Sequence, residues 1–186
     1  MPLNPLLLAI ASVVATTVML VPTTTRAADC PAFLDHEFNK LHSSQTVNLC
    51  ATYAGRPLLI VNTASHCGYT PQFKGLEALH RKYQARGLVV VGFPSDDFNQ
   101  EAKDEAKTAD ICYVNYGVTF TMLAPSSVGG SKANPVFLEL NRRAGPPSWN
   151  FNKYLVSADG KTVQRFDSDV TPDSPQITRA VERLLD

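Results

Sequence analysis

Several features that would place this 186-residue chain in a common functional class are missing from its sequence. The 17 Lys and Arg residues balance the 17 Asp and Glu residues and form no cluster, which argues against a nucleic-acid-binding surface. His36, His42 and His80 show no metal-ligand spacing, so we expect neither a metal site nor a bound cofactor. The sequence has no internal repeat, and its length fits a single domain with a substantial core.

A second cysteine is also missing three residues after Cys67, where dithiol exchange enzymes carry one; this chain has Thr70 there. Residues 57–61 form an apolar run before Cys67, and a helical pattern begins straight after it. The N-terminus of a helix offers unpaired N–H groups and the positive end of the helix dipole, which stabilise a thiolate. We therefore predict that Cys67 attacks a substrate, with any partner cysteine arriving from elsewhere. The alternative is an inert buried thiol.

The N-terminal segment lacks the Lys or Arg that ordinarily precedes the apolar part of a secretory signal. It nevertheless has an apolar run at residues 6–21, followed by Thr25-Arg26-Ala27 with small residues at the two positions that matter for cleavage. We predict a signal peptide over residues 1–27, a single domain over residues 28–186, and a periplasmic or secreted protein. A membrane anchor is the alternative, but the run is short and Pro22 ends it.

Export changes what the four cysteines can do, because cysteines pair in an oxidising compartment. More than one pairing is possible, and the sequence alone does not choose between them. We prefer a structural disulfide between Cys30 and Cys50, with Cys67 and Cys112 as a redox pair. The alternative for Cys30 and Cys50 is that both are free thiols.

Apolar periodicity predicts an α/β fold. Residues 58–63 and 88–93 are continuous apolar runs, which are typical of strands buried on both faces. Between them, apolar residues recur every three or four positions and predict a helix over about residues 71–85. A strand, a helix and a strand at this spacing form a parallel βαβ unit.

Shorter patterns predict elements on both sides of this unit. They indicate an N-terminal hairpin at residues 33–49 and a short exposed helix carrying Cys112 at 101–113. They also indicate a helix at 135–143, a second hairpin at 154–166 and a final helix from about 173. This order is that of a thioredoxin-like fold, with a central mixed β-sheet flanked by helices.

Three separated motifs carry a resemblance to a known family. They are Asn-Thr-Ala-Ser-His-Cys-Gly-Tyr-Thr-Pro-Gln at residues 62–72, Gly-Phe-Pro at 92–94 and Trp-Asn-Phe-Asn-Lys-Tyr-Leu-Val at 149–156. The chain resembles the glutathione peroxidases over nearly all of residues 33–186. This resemblance also implies a thioredoxin-like fold.

The resemblance implies a catalytic group of four residues. Cys67 is expected to be the peroxidatic cysteine, with Trp149, Asn150 and Gln100 beside it. The indole and amide N–H groups of these three side chains can donate to a thiolate, which stabilises its charged form. The loop before Gln100 departs from the family pattern, with Ser95, Asp96 and Asp97 in place of Cys-Asn-Gln. The two aspartates point either toward the thiol or into solvent.

The resemblance also implies a reaction and its partners. Cys112 matches the resolving cysteine of relatives that use thioredoxin. We expect hydrogen peroxide and organic or lipid hydroperoxides to oxidise Cys67 to a sulfenic acid, which Cys112 converts to a disulfide. A thioredoxin-like protein or glutathione then acts as the reductant. The segment from residue 126 to 147 lacks the long insertion of tetrameric relatives, which implies a monomer.

Two other functions fit the same residues. A disulfide relay would pass the oxidation of Cys67 and Cys112 to other proteins. A redox-inactive thioredoxin-like binding module would not react with peroxide at all.

Overall fold

The structure is a computed structural model that describes Met1 and residues 30–186. The predicted signal peptide and its cleavage site therefore lie, apart from Met1, outside the described residues. None of the helices described is long and apolar enough to cross a membrane.

Strands and helices alternate along most of the described chain. The strands are β1 Glu37–Asn39, β2 Thr46–Asn48, β3 Leu58–Thr63, β4 Val89–Pro94, β5 Thr121–Met122, β6 Lys153–Val156 and β7 Val163–Phe166. The α-helices are α1 Leu49–Tyr53, α2 Gln72–Tyr83, α3 Glu105–Ala109, α4 Pro135–Ala144 and α5 Pro175–Leu185. A π-helical segment, Asp110–Asn115, continues α3, and short 3-10 turns lie at Ala32–Leu34, Gln84–Arg86 and Gly130–Lys132.

The central sheet has five strands in the order β5-β4-β3-β6-β7. β3 pairs in parallel with β4 and antiparallel with β6, while β4 pairs in parallel with β5 and β6 antiparallel with β7. Every residue of β3 and β4 is buried, as their continuous apolar runs predict. β1 and β2 form a separate antiparallel hairpin. The predicted thioredoxin-like fold, with its mixed sheet and N-terminal hairpin, is confirmed.

The sheet separates two apolar clusters, because successive side chains of a strand point to opposite faces. Leu59 and Val61 of β3 face the cluster that contains Cys67, Cys112, α2 and α5. Leu58 and Ile60 face the cluster formed with α4 and the N-terminal segment. The two free cysteines therefore lie on the same side of the sheet. Cys67 lies close to the carboxyl end of β3.

The polar stretch predicted as one exposed helix is divided differently in the structure. α3 begins only at Glu105, where the Asp104 side chain accepts a hydrogen bond from Ala106 N–H, and the π-helical segment follows it. Cys112 lies in that segment and is buried, since Thr108, Ala109 and Cys112 face the core while Lys107 and Asp110 are exposed. α1 and β5 were not predicted, because both are too short to show a periodic pattern.

Candidate active site

Cys67 lies in the turn between β3 and α2, with 7% of its surface exposed. The backbone N–H of Tyr69 donates to Cys67 Sγ over 3.4 Å. α2 begins only at Gln72, so this donor belongs to the turn and not to the first turn of the helix. A backbone N–H aimed at sulfur can stabilise negative charge that develops there during a reaction.

Thr70 fixes the shape of this turn from the position where dithiol enzymes carry their second cysteine. Its buried hydroxyl accepts a hydrogen bond from Cys67 N–H over 3.0 Å and donates one to the carbonyl oxygen of Ala64 over 2.9 Å. The Cys67 backbone is thereby tied to the end of β3.

Gln100 connects the cysteine turn to a second loop. Its carbonyl oxygen accepts a hydrogen bond from His66 N–H over 2.9 Å, which places Gln100 beside the residue that precedes Cys67. Its side-chain oxygen accepts from Asn150 Nδ2 over 3.3 Å. Asn150 is fully buried, and its Oδ1 has no hydrogen-bond partner among the residues described. The His66 side chain is exposed.

Trp149 stands at the rim of an open cleft of about 490 Å³. It is 40% exposed, and its ring packs on Phe98 with 5.2 Å between the ring centroids. Tyr69, two residues after Cys67, lines the same cleft, which places Trp149 near the cysteine turn. The cleft is completed by Ser148, Asp167, Ser168 and Asp169.

Two asparagines that sequence reasoning missed hold Trp149 in place. Asn62 Nδ2 donates to the Trp149 carbonyl oxygen over 3.0 Å, and Asn152 Nδ2 donates to it over 3.2 Å. Asn152 N–H also donates to Asn62 Oδ1 over 3.0 Å, and both side chains are fully buried. The signal that could have identified Asn62 is a polar residue that follows the apolar residues of a buried strand.

Asp96 and Asp97 both have hydrogen-bond partners, Asp96 within its own loop and Asp97 in the loop before α4. Asp97 accepts hydrogen bonds from the N–H groups of Val128 and Gly129, each over 2.7 Å. Asp96 accepts from Glu101 N–H over 3.1 Å and pairs with Lys103, whose ammonium lowers the pKa of Asp96. The carboxylates that replace the family residues thus serve loop structure.

Cys112 is a free thiol, 1% exposed, in the same apolar cluster as Cys67. Burial raises its pKa to about 12, with a further contribution from the negative charge of Glu101. The structure therefore shows both cysteines reduced, with Cys112 held as a neutral thiol inside the core.

The other two cysteines, Cys30 and Cys50, are joined by a disulfide. Cys30 packs against the apolar cluster on the opposite side of the sheet from Cys67. Within residues 30–186, no three His, Cys, Asp or Glu side chains gather in a way that could hold a metal ion.

The sequence model of the glutathione peroxidase family matches residues 33–141, which is more than half of the chain. A glutathione peroxidase of Lactococcus lactis is 38% identical over 159 residues, covering 82% of this chain and 99% of that protein. The chain belongs to the glutathione peroxidase family.

Two further similarities agree with this membership. The hydroperoxy fatty acid reductase gpx1 of Synechocystis is 39% identical over 145 residues, covering 72% of this chain and 85% of the relative. The crystal structure of T. cruzi GPX1 superimposes with a TM-score of 0.63 at 26% identity, covering 82% of this chain and 95% of that one.

Membership makes this glutathione peroxidase an enzyme, a thiol-dependent peroxidase of the oxidoreductase class. The hypothesis of a redox-inactive binding module is therefore wrong. The geometry is compatible with peroxide reduction, because a nearly buried sulfur accepts a backbone N–H, while Gln100 bonds through its backbone to His66 and through its side chain to Asn150.

Proposed function

We propose that this glutathione peroxidase uses Cys67 as the peroxidatic thiol and Cys112 as the resolving thiol. The observation that carries the proposal is the position of Gln100, which bonds through its backbone to the cysteine turn and through its side chain to Asn150. This one residue joins the turn of Cys67 to the loop of Trp149 and Asn150. The four residues of the expected catalytic group are thus linked by a short series of bonds and neighbouring positions.

The first step is attack of the Cys67 thiolate on one oxygen of a hydroperoxide. An S–O bond forms while the O–O bond breaks, and the leaving oxygen takes a proton to become an alcohol or water. The sulfur is oxidised by two electrons to a sulfenic acid. The amide donors of Gln100 and Asn150 and the indole N–H of Trp149 stabilise the negative charge that moves from sulfur to the leaving oxygen.

In the second step the Cys112 sulfur attacks the Cys67 sulfenic acid. An S–S bond forms, the S–O bond breaks, and the hydroxyl leaves as water with the proton of the Cys112 thiol. A disulfide requires the two Cα atoms to come within about 7 Å, with the Cβ atoms facing each other. Cys112 begins this step as a buried free thiol in a helical segment, so we propose that this segment moves to bring it to Cys67. A π-helical stretch such as Asp110–Asn115 is rare and short, which suits a segment that rearranges.

The charge of the cleft supports a thioredoxin-like protein as the reductant. The charged side chains that line the cleft beside Trp149 are Asp167 and Asp169. Glutathione carries two carboxylates and one ammonium group at neutral pH, so Asp169, together with Asp167 that Arg165 neutralises in part, disfavours its binding. A dithiol protein needs only to reach the disulfide and exchanges thiols with it.

The openness of the cleft supports organic and lipid hydroperoxides as substrates beside hydrogen peroxide. The exposed Trp149 and the half-buried Phe98 form an apolar rim on which an acyl chain can pack. The relative from Synechocystis is named for hydroperoxy fatty acids, which agrees with this choice. The short segment between residues 126 and 147 supports a monomer that leaves the cleft uncovered.

The Cys30–Cys50 disulfide supports export, because structural disulfides persist in oxidising compartments. We propose that the mature protein acts in the periplasm or outside the cell after cleavage near residue 27. Mass spectrometry of the secreted chain would give its first residue, and an N-terminus at Met1 would contradict export by a cleaved signal.

Peptide mass spectrometry of the reduced protein after one equivalent of hydroperoxide tests the chemistry. We expect a Cys67–Cys112 disulfide in the native chain, a trapped Cys67 sulfenic acid in Cys112→Ser and no oxidation product in Cys67→Ser. An unmodified Cys67 would refute the peroxidatic role. A sulfenic acid without a disulfide would remove Cys112 from the cycle.

The oxidised protein then tests the reductant. We expect a thioredoxin-like protein to restore the Cys67 thiol in turnover assays, while millimolar glutathione restores it far more slowly. Replacing Asp167 and Asp169 by Asn should raise the rate with glutathione and leave the rate with the protein reductant unchanged. Faster turnover with glutathione in the native chain would contradict this part of the proposal.

A further inference from the structure

Glu101 is a buried carboxylate that sequence reasoning placed in an exposed helix. Only 5% of its surface is exposed, and it forms no salt bridge with a cation in the part of the chain that the structure describes. One oxygen, Oε1, accepts three hydrogen bonds, from the hydroxyl of Ser65, from Ala102 N–H over 2.7 Å and from the hydroxyl of Thr108 over 2.9 Å. The other oxygen, Oε2, is buried and has no described partner.

The two hydroxyl groups that bind this carboxylate come from the segments of the two redox cysteines. Ser65 precedes Cys67 by two positions, in the same turn. Thr108 precedes Cys112 by four positions, about one helical turn, so the two side chains lie on the same face of their segment. Glu101 therefore bonds to both segments at once, and the neighbouring bond from His66 N–H to the Gln100 carbonyl strengthens the link to the turn.

Burying a carboxylate without a cation is unfavourable, so its position needs compensation from other groups. The three donors to Oε1 compensate part of the cost, while Oε2 is buried without a hydrogen-bond partner among the residues described. The titratable groups that interact with Cys112 are Glu101 and the adjacent Tyr113. The carboxylate thus acts on Cys112 in two ways, through the bond to Thr108 and through its charge.

We propose that Glu101 is a positioning residue that clamps the turn of Cys67 to the segment of Cys112 in the reduced enzyme. The clamp keeps Cys112 in the core as a thiol, and its bond to Thr108 has to break before Cys112 reaches Cys67. The inference rests on the proposed function for the role of Cys112 in resolution. The clamp itself is a property of the reduced fold and can be tested without peroxide.

Alkylation of Cys112 in a Cys67→Ser background provides this test, because Cys112 is then the one free thiol of residues 30–186. Thr108→Val removes the hydroxyl at nearly constant shape. We expect at least a tenfold faster reaction of Cys112 with iodoacetamide, since the segment opens more often. Thr108→Ser retains the hydroxyl and should restore the slow rate, which a purely steric effect at this position would not do.

Glu101→Gln tests the charge. Removing the negative charge near Cys112 should move the pH profile of alkylation to lower pH, although burial still keeps the thiol less acidic than a free cysteine. Glu77→Gln is a matched control, since Glu77 is a buried carboxylate of α2 whose donors include the hydroxyl of Thr119. We expect its profile for Cys112 to match that of the Cys67→Ser parent.

The outcomes separate the clamp from the proposed function. Unchanged alkylation in both Thr108→Val and Glu101→Gln would overturn the clamp, even where Cys67 and Cys112 form a disulfide after peroxide. With Cys67 present, quenched-flow mass spectrometry of Thr108→Val should show faster disulfide formation and unchanged sulfenic acid formation. Absence of the disulfide in the native chain would overturn the proposed function and the coupling role with it, whatever the alkylation rates.

Discussion

The side chain of Asn150 donates a hydrogen bond to the side-chain oxygen of Gln100 over 3.3 Å. This bond joins the loop after β4 to the loop before β6, the two loops that approach the turn of Cys67. It also orients Gln100, because an oxygen that accepts from Asn150 leaves the amide N–H groups of Gln100 available to the site. Gln100, the amide expected from the family resemblance, and Asn150 thus form one hydrogen-bonded unit.

Asn150→Ala should therefore slow the oxidation of Cys67 by about 10²-fold, the effect typical of losing one preorganised donor group. Both its own amide and the orientation of Gln100 are lost. The second-order rate constant with hydrogen peroxide, measured by competition, checks this.

Asn141→Ala is the control. Asn141 lies in α4 and donates to the Val128 carbonyl, on the side of the sheet opposite Cys67. We expect a modest loss of stability and an unchanged rate for this variant. Equal rates in Asn150→Ala and the native chain would show that the pair has no catalytic role.

Thr70→Val should both destabilise the fold and slow Cys67. The substitution leaves Cys67 N–H and the Ala64 carbonyl without their partner, which costs about 1–3 kcal/mol in a buried site. Urea unfolding measures the first effect and peroxide kinetics the second. Thr70→Ser keeps the hydroxyl and should retain most of the stability and most of the Cys67 reaction rate. A Ser variant as impaired as the Val variant would contradict the hydrogen-bond explanation.

Lys153 gives the fold a defined pH dependence. It is fully buried in β6, and its ammonium donates to the carbonyl oxygens of Ser168 over 3.1 Å and Val170 over 2.7 Å. Burial lowers its pKa to about 8, although the nearby Asp169 and Asp167 act in the opposite direction. The folded chain therefore releases this proton at a lower pH than the unfolded chain does.

The sign follows from proton binding. Between pH 8 and the unfolded pKa near 10.5, the unfolded state holds the proton and the folded state does not, so stability rises with pH. Below pH 8 both states are protonated, so the full free-energy cost of burying the charged Lys153 ammonium lowers the stability of the fold. The free energy of unfolding of the native chain minus that of Lys153→Met should rise by up to about 1.4 kcal/mol per pH unit in this window. Parallel urea-unfolding curves from pH 7 to pH 10 would contradict the depressed pKa.

Removing the Cys30–Cys50 disulfide should affect stability and not the peroxidatic step. The bond closes a loop with a sequence separation of 20, for which the entropic contribution is about 3 kcal/mol. Cys30→Ser/Cys50→Ser should unfold at lower urea, yet its Cys67 should react with peroxide at the native rate, because the disulfide packs on the other face of the sheet. A large loss of rate in a variant that is still folded would show coupling across the sheet.

The central βαβ unit was predictable because continuous apolar runs and a strong helical period identify β3, α2 and β4 with little ambiguity. The two-residue strand β5 was not, since two residues carry no period. Glu101 was misplaced for a different reason. Its neighbours are polar, and the hydroxyls that justify its burial, those of Ser65 and Thr108, are ordinary residues whose meaning appears only when the chain is folded.

The site shows the same division. Cys67, Trp149 and Asn150 lie in contiguous sequence motifs, so they can be identified without the structure. The position of Gln100 beside His66 depends on the path of the loop after β4, which the sequence alone does not give. The buried pair of Asn62 and Asn152, which fixes the carbonyl of Trp149, depends on contacts between residues about ninety positions apart.

Trp149 is the single tryptophan of the sequence, and it stands at the rim of the cleft with 40% of its surface exposed. The indole fluorescence of the protein therefore comes from one place, the cleft that Tyr69 of the cysteine turn also lines. Its ring rests on Phe98, in the loop that continues to Gln100 and Glu101. A movement of that loop changes the surroundings of the indole, so the fluorescence of Trp149 reports the movement without an added dye.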